Sequence, residues 1–351
     1  MKREGFNGSI GLFRFIFSIV VVLFHLFEPL GYPYVRGGYM PVPFFFMVSG
    51  FLMAMSADRE SAKGETAVSA ETAAYRYLRK RLVTFLPMYW CALLLCIVVR
   101  AFYLKIQPIE AFPLLAEISL LHAVIPLYPF FNHTTWYLSV MVYVEPIMYY
   151  LFKKDREMCM KIIAPVLTVV FYGGIISHAG NLGMRFESPS IFSIQMIGAI
   201  AGISLGVTLY TISMYIVNCP KLQFLKDKRF ASAIEFTAFS VSLVYMICTG
   251  WRWRDFFILG VLAILVLNSF TNETYLSKIT RRPLFAWLQR LSLPIYLFHH
   301  AVQIIFFEKL AYLPLPLIVF LNLGIPLLIS IPVACLQQRY QTYLKERTNW
   351  L

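Results

Sequence analysis

Two ionisable residues, Arg14 and His25, stand inside the apolar run GLFRFIFSIVVVLFHLFEPLG near the start of the chain. A guanidinium is suited to gripping phosphate or carboxylate oxygens through two parallel hydrogen bonds. A neutral imidazole near pH 7 is suited to taking a proton from a hydroxyl, or to carrying an acyl group for a moment. On a helix, the eleven-residue separation turns about 1100°, roughly 20° past three full turns, so both side chains share one face about 16 Å apart. Ser18 lies about 40° from Arg14 on the same stripe. Glu28 follows His25 by one turn, where its carboxylate could orient the ring. The competing reading is an arginine snorkelling to one membrane face and a histidine bonded to a neighbouring helix.

Other candidates are weaker. Ser49 stands beside Gly50 in PVPFFFMVSGFLMA without the Gly-x-Ser-x-Gly context of a hydrolase elbow, so the pair reads as a helix-packing site or substrate contact. His299 and His300 are adjacent in LSLPIYLFHHAV and point about 100° apart on a helix, so one at most is expected to face a given cavity. A metal site would want i, i+4 spacing with added carboxylates, and no metal is expected. The six cysteines sit mostly in apolar runs with no CxxC pairing and read as packing residues.

The elements that hold these residues must be membrane helices. Of 351 residues, 59% are hydrophobic and 14% charged, and the mean hydropathy is +0.67. A soluble domain of this size still needs a polar skin, which this composition cannot supply. Ten runs approach the length of about 20 residues needed to span a bilayer: 10–28, 41–56, 82–104, 134–152, 161–179, 191–217, 231–250, 255–270, 288–308 and 313–336. Lys2 and Arg3 before the first run imitate a secretory signal, but Arg14 interrupts it and no small-residue cleavage site follows, so it reads as the first span. With the N-terminus inside, 23 Lys and Arg fall on inner segments and 7 on outer ones, with Arg14 left in a span. The positive-inside rule then places both ends in the cytoplasm. It also assigns the net charge of +13 to loops rather than to nucleic acid.

The stretch 111–131 carries Glu117, His122 and three prolines. A full span there would invert every later loop, so it reads as a re-entrant or interfacial segment. An inner polar segment over 56–81 ends in Arg76, Arg79, Lys80 and Arg81, and its second half is expected to extend the third span as a cytoplasmic helix. No internal repeat or domain boundary is visible, so residues 1–351 read as one domain of about ten helices, an all-α polytopic membrane protein.

Arg14 and His25, FFFMVSGF at 44–51, Trp136, Leu138 and Ser139 in TWYLSVMVYVE at 135–145, and SLPIYLFH at 292–299 together resemble the acyltransferase-3 family. The resemblance runs from about 10 to 300. It implies a ten-span enzyme of the bacterial plasma membrane that moves acyl groups, commonly acetyl, onto sugars outside the cytoplasm. It makes Arg14 and His25 essential, with His25 catalytic, and Ser49, Trp136, Ser139, His299 and Glu28 candidate substrate contacts. The chain departs from the family where Pro41, Val42 and Pro43 replace a Gly-Val-Asp, and where Met141 and Val142 stand in place of a Val-Glu-Glu continuation, with Glu145 further along. The family's Arg-x-x-Arg before the third span is displaced: Arg81 and Thr84 fill the aligned positions, and Arg76 and Arg79 carry the spacing one turn earlier. These losses leave the acceptor open.

The expected mechanism follows from sidedness. Acyl-CoA, acetyl-CoA by the resemblance, is a co-substrate from the cytoplasm and not a tightly bound cofactor. Arg76, Arg79, Lys80 and Arg81, with Arg281, Arg282 and Arg290, are placed to hold its phosphates; the competing reading is that they obey the positive-inside rule alone. The partners are acyl-CoA, a saccharide acceptor and the bilayer. A rival class is a non-enzymatic carrier or flippase for a polar or lipid-linked sugar that uses the same Arg14–His25 stripe as its path.

Overall fold

The computed structural model describes residues 7–62, 68–103, 111–124, 130–184, 193–250 and 252–347. Among the described residues there are helices and no strands. The helices are α1 (Gly8–Phe27), α2 (Pro41–Ala62), α3 (Ala70–Tyr103), the short α4 (Ala111–Ile118), α5 (Trp136–Lys154), α6 (Arg156–Ala179) and α7 (Ile194–Asn218). They continue as α8 (Lys228–Cys248), α9 (Asp255–Thr271), the short α10 (Tyr275–Ile279), α11 (Pro283–Leu310) and α12 (Leu315–Arg347). Among the described residues, eight are long and apolar enough to cross a membrane. With α5 (19 residues) and α9 (17 residues) they occupy the ten positions expected from hydropathy. The protein is an all-α polytopic membrane protein.

Element ends differ from the sequence expectation in one informative place. Most of the inner segment 56–81 is helical: α2 runs through Ala62 and α3 starts at Ala70. At 1.5 Å per residue the 34 residues of α3 rise about 51 Å, against a hydrocarbon core of about 30 Å. Its first turns, with Arg76 to Lys80, therefore stand beyond the membrane as the expected extension.

Small residues set the tightest crossing. A Cβ on Gly50 of α2 would sit 2.1 Å from the Ile203 carbonyl of α7, and one on Gly206 would sit 2.2 Å from the Met47 carbonyl. Gly202 and Gly206 form the small-xxx-small spacing that lets membrane helices approach closely. The Ser49–Gly50 pair thus packs as its sequence context indicates.

Carboxylates, one half-buried and one buried, tie the bundle at both ends. Asp58 of α2 takes both Nε and Nη2 of Arg156 (2.6 and 3.1 Å) and the Tyr210 hydroxyl of α7 (2.6 Å). At the opposite end Asp255 accepts from the hydroxyls of Tyr39 (2.8 Å) and Tyr245 (2.6 Å) and from the Leu182 amide (2.9 Å). A carboxylate with several donors is tolerable in a low dielectric where a bare one is not.

The described part of 111–131 is α4 and a turn. Eight residues rise about 12 Å, too short to cross a bilayer. Buried Glu117 folds the segment back by accepting the amides of Phe131 (2.6 Å) and Asn132 (2.7 Å), while the Tyr89 hydroxyl of α3 bonds the Glu117 carbonyl (2.6 Å). Leu120 adopts φ 60, a left-handed conformation costly for a branched side chain. The Ser139 hydroxyl secures that turn, donating to the Leu120 carbonyl (2.6 Å) and accepting from the Ala123 amide (3.2 Å). Residues 125–129 lie outside the described ones.

Candidate functional site

Helices α1 and α11 lie side by side in one direction, and their register is readable from two pairs. The Ser18 hydroxyl of α1 hydrogen-bonds the Ser292 hydroxyl of α11 at 2.6 Å, and both oxygens lie within hydrogen-bond distance of the Arg14 carbonyl (2.8 and 3.0 Å), to which the remaining proton is donated. Seven residues later on each helix, His25 meets His299 with ring centroids 5.6 Å apart. Seven residues is two turns, so each helix presents its serine and its histidine on one stripe. Further along, Gln303 donates to the Val22 carbonyl (3.0 Å) and fixes the same pairing.

Around His25 the outer half of the bundle gathers imidazoles. His133, on a single 3₁₀ turn before α5, lies 6.2 Å from His25 and 6.2 Å from His300 between ring centroids. His122 joins through Phe130, which contacts both rings at 5.0 and 6.2 Å, and its Nε2 lies 3.3 Å from the Thr135 hydroxyl. His299 meets His25 and His300 meets His133, in keeping with their 100° divergence. The turn that carries His133 packs on the middle of α11, where Asn132 donates to the Leu297 carbonyl (3.0 Å) and the Tyr296 hydroxyl donates to the Thr134 carbonyl. Among the described residues no group of three His, Cys, Asp or Glu is spaced to hold a metal ion.

The two anchor residues are open. Arg14 and His25 are half-buried. Among the described residues no hydrogen bond is formed by the Arg14 guanidinium or by the His25 ring nitrogens. By contrast, His299 is wholly buried. Its Nδ1 lies 2.8 Å from the Tyr296 carbonyl, which can only accept, so Nδ1 carries the proton and Nε2 holds a lone pair. That Nε2 is buried without a partner.

Between Arg14 and His25 the neighbouring helices place phenolic and aromatic side chains. The Tyr137 hydroxyl of α5 is 3.4 Å from the Ser49 hydroxyl, and its ring packs on Phe46 (4.6 Å) and Tyr296 (6.1 Å). Tyr137, Arg81 and Glu145 are the groups within electrostatic range of Arg14. Near the start of α3 the Arg81 guanidinium pairs with Glu145, Nη2 donating to Oε1 (3.0 Å), while its Nε donates to the Tyr77 hydroxyl (3.1 Å), which in turn donates to the same carboxylate (2.9 Å).

The sequence-derived candidates fall into three groups. Arg14 and His25 lie on one face of α1, His299 packs on His25, and Ser49 meets Tyr137. Trp136 is buried against Phe46, and Ser139 is committed to the 120–123 turn. Glu28 is exposed at the C-terminal end of α1, three residues past His25. Arg76 and Lys80 are exposed on the protruding turns of α3 and Arg79 is half-buried there, whereas Arg81 is already occupied by Glu145. Sequence reasoning overlooked His122, His133, Tyr77 and Tyr137, and left Glu145 unassigned. One signal was present: with the N-terminus inside, all six histidines fall in the outer half of the spans or on outer segments.

Fold and site together define a helical membrane protein with polar and ionisable side chains clustered inside its bundle. The chain belongs to the acyltransferase-3 family, whose acyltransferase domain matches residues 7–336. It is therefore a membrane acyltransferase. No curated protein and no solved structure matches it.

Proposed function

We propose that the protein moves a short acyl group, acetyl in the simplest case, from cytoplasmic acyl-CoA to a hydroxyl of a saccharide on the outer face of a bacterial plasma membrane. The observation that carries this reading is the placement of two unpartnered ionisable groups, Arg14 and His25, on one face of α1. They stand about 16 Å apart along its axis. An ionisable side chain held in a membrane without a partner is costly and marks a substrate path.

Each residue has a task in that reaction. Arg76, Arg79 and Lys80 on the protruding turns of α3 attract the CoA phosphates. Arg81, neutralised by Glu145, walls the inner mouth rather than gripping phosphate. Arg14 holds polar atoms of the donor arm that enters the bundle, and Ser49 and Tyr137 border the thioester. At the outer end His25 takes the proton of the acceptor hydroxyl while the oxygen attacks the thioester carbonyl. The carbon–sulfur bond breaks, CoA leaves as thiolate, and the proton passes from His25 to that sulfur. The products are the acylated sugar and CoA-SH.

The test is His25→Gln beside His25→Ala. Glutamine keeps hydrogen bonding and similar bulk but takes no proton. Both variants should reach the membrane at normal levels and lose about 10² to 10⁴ in turnover, the range general-base catalysis supplies. A glutamine variant that transfers acyl groups while the alanine variant does not would make His25 a structural hydrogen-bonding residue and remove it from the chemistry.

A further inference from the structure

The His25 ring, as a general base, needs one bare nitrogen toward the acceptor and one N–H held from behind. In many enzymes a carboxylate does the holding. Here the imidazole packed closest to His25 is His299, at 5.6 Å between centroids and 30° between planes. Its tautomer is fixed by its own helix: Nδ1–H donates to the Tyr296 carbonyl one turn back, which leaves Nε2 as a buried acceptor with no donor. An unpaired polar atom in a buried site costs about 1–3 kcal/mol, so its retention calls for a donor at some stage of the reaction. Two imidazoles joined by one hydrogen bond have centroids about 5 Å apart for an N···N distance near 3 Å. The observed spacing is thus about half an ångström from contact.

Resting on the acyl-transfer reading, we propose that His299 is the positioning residue for His25, its Nε2 accepting the N–H of the His25 ring that faces away from the acceptor hydroxyl. His299 gains no proton and touches no reacting atom. It selects the His25 tautomer whose other nitrogen is bare toward the sugar. The Ser18–Ser292 contact two turns below holds α1 and α11 in the register that makes this pair. His133 and His300 flank the pair but meet each other rather than the His299 nitrogen.

Asparagine and glutamine separate the two functions of His299. His299→Asn keeps an N–H near the position of Nδ1, for the Tyr296 carbonyl, and deletes the acceptor at Nε2. His299→Gln places an amide oxygen near Nε2. Two readouts apply to each variant in detergent or vesicles: steady-state kinetics, and the rate at which diethyl pyrocarbonate modifies His25 at fixed pH, followed by peptide mass spectrometry. His299→Asn is expected to lower kcat about ten- to a hundredfold with KM for acyl-CoA and acceptor unchanged. It should also slow His25 modification several-fold, and His299→Gln should restore both. A raised acceptor KM with unchanged kcat would make His299 a sugar contact and overturn the proposal. So would unchanged His25 reactivity in His299→Asn. His25→Ala reads the pair from the other side: His299, relieved of its donor, should become modifiable, and failure to do so counts against the pairing. Modification rates do not depend on turnover, so a pairing found in a protein that transfers no acyl group would sink the functional reading and leave the pairing standing.

Discussion

Arg14 acts through shape as well as charge. A guanidinium offers a planar fork of donors, and an ammonium offers a single point. Arg14→Lys keeps the charge and the α1 stripe, so folding should be unaffected. If Arg14 holds the donor arm through two parallel bonds, KM for acyl-CoA should rise about tenfold, the scale of one lost charge-assisted bond. Saturation kinetics against acyl-CoA check this, and an unchanged constant would leave Arg14 without a role in donor binding. Arg14 and His25 were legible in the sequence because charge within an apolar run is conspicuous and their separation is a near-integral number of turns. Glu145 was ambiguous because nothing local reveals its partner: Arg81 is on α3, 64 residues earlier. His133 and His122 were missed because they stand on a turn and a folded-back segment, where no periodicity places a side chain. Ser139, singled out by its motif, pins a left-handed turn in the fold.

At the scale of elements, α3 divides its cations by depth. Arg76, Arg79 and Lys80 precede the ion pair, and Arg81 is held by Glu145 and Tyr77. Neutralising the first three to glutamine should raise KM for acyl-CoA with kcat nearly unchanged, and the difference from the parent should shrink as salt is added. A constant independent of both substitution and salt would leave those residues as topology signals. Arg81 should be left in place in this experiment, because deleting it would leave the buried Glu145 carboxylate without its partner and confound binding with folding. Span positions were legible because an apolar run of about 20 residues is a physical necessity in a bilayer. The extension at 76–81 was legible too: α3 continues through those charges as the sequence suggested, since a helix beyond the membrane suffers no penalty for charged side chains. The close α2–α7 crossing was half visible, in Gly50, and completed by Gly202 and Gly206.

The whole molecule joins two compartments through one bundle. Carboxylates lock its two ends, Asp58 at one and Asp255 at the other, while α1 and α11 carry the polar stripe between them. This architecture makes sidedness the central claim: donor from the cytoplasmic face, acceptor at the outer face. Sealed membrane vesicles of both orientations measure it directly. Inside-out vesicles expose the cytoplasmic face, so labelled acyl-CoA added outside should acylate saccharide trapped in the lumen, with free CoA released outside. Right-side-out vesicles given the same acyl-CoA outside should transfer nothing until they are permeabilised. Transfer in sealed right-side-out vesicles, with donor and acceptor both supplied at the outer face, would contradict the account.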